Sequence, residues 1–182
     1  MTENPLHITL AGVKHCGKST LGRLLADRCG ILFIDSDAEL ERLHGKGTRE
    51  LFRAVGEECF RRLESEILCK IASENSGRSY VLSLGGGAVS NVFVTDDIWK
   101  SLGVSVMIDI SDKSAEQRVF ADGVPAYLEK ESDPRAALLR MNLQRKEVMR
   151  KRCSRVYTAL EDADVQTQAE NFYMFLKQEG VL

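Results

Sequence analysis

Gly12-Val13-Lys14-His15-Cys16-Gly17-Lys18-Ser19-Thr20 fits the pattern GxxxxGK[ST] at every fixed position. Glycines at both ends let the backbone curl so that successive N–H groups face inward, and a helix starting at Lys18 would aim the positive end of its dipole at the same point. The chemistry served by such a loop is phosphate binding. Lys18 would reach the β- and γ-phosphates of a nucleotide, and the Ser19 hydroxyl would join the shell of Mg²⁺, a hard ion that keeps several of its waters. Gly12, Lys14, Cys16, Gly17, Lys18, Ser19 and Thr20 are therefore expected to bind ATP. Downstream, Asp35 and Asp37 stand two apart at the end of a second apolar run, so in extended chain they face the same way. One carboxylate suits a metal water and the other a substrate hydroxyl. A helix cap explains one of them more easily than both.

These residues need a scaffold that brings the ends of several strands together. Short apolar runs at 7–10, 31–34, 80–84 and 104–108, with a weaker one at 163–167, alternate with segments of helical period at 18–29, 57–73, 136–160 and 171–178. That alternation predicts an α/β chain with a five-stranded parallel sheet between helical layers. Ligands of such sheets gather at the carboxyl edge, where the phosphate loop and Asp35-Ser36-Asp37 would both lie. Gly85-Gly86-Gly87 follows the third run, and three consecutive glycines carry a large entropic cost unless something must approach that backbone closely. The stretch 121–134 is charged, broken by Gly and Pro, and reads as a mobile surface loop.

At 182 residues, 43% of them apolar, the chain suits one domain. Its 25 basic and 27 acidic side chains give a net charge of −2, which argues against a protein that coats nucleic acid. The basic run from Arg135 to Arg155 reads as a solvated helix face, without interleaved aromatics for base stacking before Tyr157. No apolar run approaches the roughly 18 residues of a membrane span, and the start has no signal-peptide pattern. Five cysteines without a CxxC pair suggest neither a disulfide framework nor a zinc site. A cytoplasmic monomer with no nucleic-acid or membrane partner is expected.

Taken in order, the phosphate loop, Phe33-Ile34-Asp35-Ser36-Asp37, Gly56-Glu57-Glu58-Cys59-Phe60-Arg61-Arg62-Leu63-Glu64 and Leu82-Ser83-Leu84-Gly85-Gly86-Gly87-Ala88-Val89 resemble the shikimate kinase family. That family is a branch of the nucleoside-monophosphate-kinase-like P-loop proteins with a mobile lid. The resemblance spans the first half of the chain and is loose in the second. It implies one domain over 1–182, a lid at about 121–134, substrate-binding helices at about 37–62, and ATP-dependent phosphorylation of shikimate on the route to aromatic amino acids. Asp35 would then help position Mg²⁺ through water, with Ser83 standing where many P-loop proteins have a carboxylate. Asp37 would bind shikimate hydroxyls and act as base. Arg61 would pair with the substrate carboxylate, and Gly85, Gly86 and Gly87 would lie against the ring.

Two departures bear on chemistry. The family's lid carries an Arg immediately before a Pro, and here the pair is Val124-Pro125. Arg118, Lys130 and Arg135 are the candidate replacements, with Arg118 also expected against ATP. The family has a second carboxylate-binding Arg with three residues between it and a Tyr on the late helix. At that spacing from Tyr157 stands Cys153, flanked by Arg152 and Arg155, and Arg152 is the expected substrate ligand. A kinase of the same fold acting on another hydroxy acid or polyol, and a nucleotide-binding homologue with weakened catalysis, are the alternatives.

Overall fold

The computed structural model describes residues 4–121, 123–124 and 127–182. Five strands, β1 (His7–Ala11), β2 (Leu32–Asp35), β3 (Tyr80–Ser83), β4 (Val104–Asp109) and β5 (Arg155–Thr158), form one parallel sheet in the order β2-β3-β1-β4-β5. Between them run α1 (Lys18–Cys29), α2 (Ser36–His44), α3 (Thr48–Glu74), α4 (Asp96–Ser101), α5 (Asp112–Val119), α6 (Pro134–Arg152) and, last, α7 (Val165–Gln178).

The three central strands, β3, β1 and β4, are buried on both faces because helices cover both. Leu21 and Leu25 of α1 pack with Phe172 and Leu176 of α7 on one side, against Ile8, Leu10 and Ile108. Ile67, Leu68 and Ile71 of α3, Trp99 of α4 and Met149 of α6 pack on the other, against Leu82 and Met107. Full burial of each such side chain contributes about 1.5–3 kcal/mol. The sheet is thus the middle of three layers, and the carboxyl ends of β1, β2 and β3 are held level by register: Asp35 pairs with Ser83, and Ser83 with Leu10.

The fifth strand corrects the sequence reading. Residues 163–167 run into α7, which starts at Val165, and the Asp164 carboxylate accepts hydrogen bonds from the Gln166 and Thr167 amides and caps the helix. The strand instead lies inside the stretch 136–160 that reads as helix. There α6 stops at Arg152, and Ser154 ties the chain to β4 by donating its amide to Ser105 Oγ and its hydroxyl to Ser105 O. As an edge strand β5 buries little beyond Tyr157, so its pattern was hidden by flanking charge.

Two further breaks shape the upper edge. Gly56, at φ 78°, kinks α3 and separates a first segment over α2 from the long segment on the sheet. Asp133 caps α6 and Pro134 opens it, a residue whose missing N–H costs nothing at that position. Leu128 is buried against Val119, Ala137 and Leu138, which anchors the second half of the stretch 121–134. Asp122 and Pro125 of that stretch lie outside the described residues. No helix among the described residues is long and apolar enough to cross a membrane.

Candidate active site

The phosphate loop runs from β1 into α1, with Gly17 at φ 97° forming the helix entrance. Gly12 has no room for a Cβ, which would meet Cys16 Sγ and the Ile108 carbonyl. Cys16 is buried and plays a packing part. Lys18 Nζ rests 3.5 Å from the Val13 carbonyl on the loop's own inner side. A cavity of about 470 Å³ opens here, lined by His15 to Leu21, Arg118, and Ala159, Ala163, Val165 and Gln168 beyond β5. Arg118 donates to the His15 carbonyl at 3.2 Å, so α5 is clasped to the loop at the cavity wall.

Asp35 does two things at once. Its Oδ1 accepts from the amides of Asp37 and Ala38, capping α2, while its Oδ2 accepts from Ser19 Oγ at 2.9 Å. Ser19 Oγ also lies 3.0 Å from Ser83 Oγ. This carboxylate with two hydroxyls is an all-oxygen donor set of the kind a hard divalent cation accepts while keeping waters. Asp37, freed from capping, turns toward Gly85. A Cβ on Gly85 would lie inside the Asp37 carboxylate, and the Gly85 amide is held by Ser36 Oγ at 2.8 Å. Burial, then the adjacent Asp35, push the Asp37 carboxyl above its usual range, against the pull of Lys18 and Lys14.

Next to it lies a second cavity of about 270 Å³, lined among others by Asp37, Arg61, Glu64, Gly86, Gly87 and Arg145. Arg61 forks onto Glu57 one turn earlier, at 2.9–3.0 Å, and reaches the Ser90 carbonyl. Its side chain is both a surface ion pair and a cavity wall. Glu64 is 7% exposed and receives Asn91 Nδ2 at 3.2 Å; burial, then the nearby Asp37, push its carboxyl up to about 7. Arg145, from the middle of α6, faces Arg61, Glu64 and Tyr127, and burial pulls its guanidinium below its usual value.

Arg152 is elsewhere. Its guanidinium donates to the Val89 and Val94 carbonyls at 2.9 Å and stacks 4.6 Å from the Trp99 ring centroid, on the wall of a different cavity. The register of α6 explains the miss. Met149 stands four residues after Arg145, fully buried, where the spacing rule looks for Tyr; Tyr157 belongs to β5 and packs on Phe172. Arg155 pairs with Glu179. Glu64 is a site residue that sequence reasoning misses: three residues after Arg61 on the same helix, it reads as one more surface charge, yet it is buried.

A family model described as shikimate kinase matches residues 14–177. The chain belongs to the shikimate kinase family. The kinase is 38% identical to the shikimate kinase of Thermobifida fusca (strain YX), over 79% of this chain and 80% of that protein. It is 35% identical to that of Parasynechococcus marenigrum (strain WH8102), over 75% and 69%. Among solved structures, the shikimate kinase of Acinetobacter baumannii in complex with shikimate matches with a TM-score of 0.82 and 26% identity, covering 98% of this chain and 96% of that one. The kinase is accordingly a small-molecule phosphotransferase that uses ATP to phosphorylate a shikimate hydroxyl.

Proposed function

We propose that shikimate sits in the cavity between Asp37 and Arg145, with the γ-phosphate of ATP delivered from the adjoining phosphate loop. The observation that carries this is the convergence of the Asp37 carboxylate and two guanidinium groups on a glycine turn beside Lys18. Arg61 and Arg145 take the substrate carboxylate, which a planar guanidinium can meet with two parallel hydrogen bonds. The Gly85–Gly87 backbone leaves room for the ring. Asp37 accepts the hydroxyl proton as the oxygen bonds to phosphorus, and its raised pKa brings it closer to the operating pH. Lys18 and the loop amides hold the phosphates in line.

Ser19 and Asp35, with Ser83 beside them, would hold Mg²⁺ through hydroxyl oxygen and water. When bound, that ion neutralises phosphate charge. Arg118 lines the nucleotide cavity. Closure of the lid stretch over both cavities would exclude water and limit wasteful hydrolysis of ATP. The kinase is read as a cytoplasmic monomer without a nucleic-acid partner. In support, several basic residues of α6 have partners within the chain: Lys146 with Asp109 and Asp112, Arg150 with Asp109, and Lys151 with Glu147.

Asp37→Asn and Arg145→Ala test the assignment by splitting the kinetic constants. Asp37→Asn is expected to lower kcat by about 10²–10⁴-fold with ADP affinity kept. Arg145→Ala is expected to raise the KM for shikimate while the KM for ATP stays the same. Wild-type turnover in Asp37→Asn would remove the base assignment.

A further inference from the structure

The phosphate loop carries a second lysine whose surroundings are unusual. Lys14 is half-buried in the phosphate loop, near Lys18, which lines the nucleotide cavity, and Asp37, which lines the acceptor cavity. Its charged neighbours are Lys18 of α1, Asp37 of α2 and Arg49 of α3, and its Nζ lies 5.4 Å from the Tyr127 ring centroid. Among the described residues no carboxylate forms an ion pair with it. Lys14 thus has two cationic neighbours against one acidic one, and burial, with Arg49 and Lys18, pulls its ammonium below its usual pKa against the opposing pull of Asp37. Such a cluster is unfavourable on its own and becomes favourable when an anion enters it.

The other candidate cations pair with other groups or line other surfaces. Arg135 pairs with Glu116 and stacks on Phe120, and Lys130 lines an outer groove with Arg49 and Arg53. Arg118 is bonded to the loop backbone on the nucleotide side. Val124, half exposed, has no charge to offer.

We propose that Lys14 is a catalytic residue that contacts the phosphoryl group in transit from the acceptor side, opposite Lys18. In the step, the bond from the γ-phosphorus to the ADP oxygen breaks and a bond to the shikimate hydroxyl oxygen forms. The hydroxyl proton passes to Asp37. Lys14 stays protonated throughout and neutralises charge on the phosphoryl oxygens, the work for which positioned cations are most effective. Its place beside Asp37 lets it meet that charge only once the acceptor cavity is filled. The inference rests on the acceptor assignment proposed for Asp37, Arg61 and Arg145.

The test compares the full chain with Lys14→Met and Lys14→Arg in shikimate-dependent ADP release from Mg-ATP, with ADP affinity measured separately. Lys14→Met is expected to lose on the order of 100-fold in kcat, while ADP affinity and the KM for shikimate change little. Lys14→Arg, which keeps the charge, is expected to retain most of the rate. In the same variants, trapping of an ADP–aluminium fluoride–shikimate complex should weaken in parallel with kcat. A Lys14→Met protein with wild-type kcat overturns this proposal alone. Equal loss in Lys14→Met and Lys14→Arg also overturns it, because charge would then not be the cause. A wild-type chain without shikimate-dependent release overturns the acceptor assignment and the proposal together.

Discussion

Glu64→Gln should make the ligand-free kinase more stable at neutral pH, by an amount that depends on pH in a defined way. Glu64 is buried beside Asp37, and its carboxyl titrates near 7 where an ordinary glutamate titrates at 4.5. The folded chain therefore binds this proton more tightly than the unfolded chain does. Below pH 4.5 both forms are protonated and the site has no ionisation penalty. Between 4.5 and 7 the penalty grows as pH rises, and above 7 it levels off. A pKa difference of about 2.5, at about 1.4 kcal/mol for each, gives roughly 3–4 kcal/mol in full, of which about 3 kcal/mol develops between pH 4.5 and pH 8. Glutamine keeps the shape and an acceptor for Asn91 but cannot ionise. Urea unfolding of both proteins at pH 4.5 and pH 8, without ligands, should show a stability gap that widens by about 3 kcal/mol at the higher pH. A gap that is the same at both pH values would refute the reasoning, since it would mean that Glu64 is solvated or paired well enough to titrate normally. The same substitution should weaken shikimate binding, because the carboxylate is a charged neighbour of both Arg61 and Arg145 and offsets the repulsion between them.

Gly85→Ala should nearly abolish turnover, because the new methyl would occupy the Asp37 carboxylate's place, whereas Gly86→Ala, whose nearest foreign atom is Arg145 Nη1 at 3.8 Å, should cost far less; steady-state rates of the two separate them. Arg152→Ala should lower the unfolding free energy by about 1–3 kcal/mol, through the stranded Val89 and Val94 carbonyls, with the KM for shikimate unchanged. The acidic limb of kcat/KM should fall at a higher pH than an unperturbed aspartate would give, since Asp37 must be ionised to accept a proton and its pKa is raised; a pH–rate profile of wild type reads this directly.

The readable parts of this chain were those whose geometry is local. The phosphate loop needs only a strand, a turn and a helix in sequence, and Asp35 with Asp37 needs only the end of β2. Both were visible, although Asp35 proved to cap α2 with one oxygen and meet Ser19 with the other. The late segment was opaque because two signals pointed the wrong way. Charges on Arg150, Lys151, Arg152 and Arg155 carry a helical impression across the Cys153-Ser154 break, and β5, an edge strand, lacks the apolar run that marks a central one. With β5 placed at 155–158, Tyr157 is a poor register mark for α6: counted from it the spacing points to Arg152, whereas the arginine of α6 that lines the Asp37 cavity is Arg145. Glu64 was hidden for another reason. Its burial depends on Asn91 and Gly87 arriving from a distant turn, which no spacing along α3 reveals.

The central claim is tested most directly by ADP release from Mg-ATP with and without shikimate, using Lys18→Ala as the blank. Release that depends on shikimate, vanishes in Lys18→Ala and is accompanied by phosphorylated shikimate is the predicted result. Intact ATP binding with no shikimate-dependent release would contradict it.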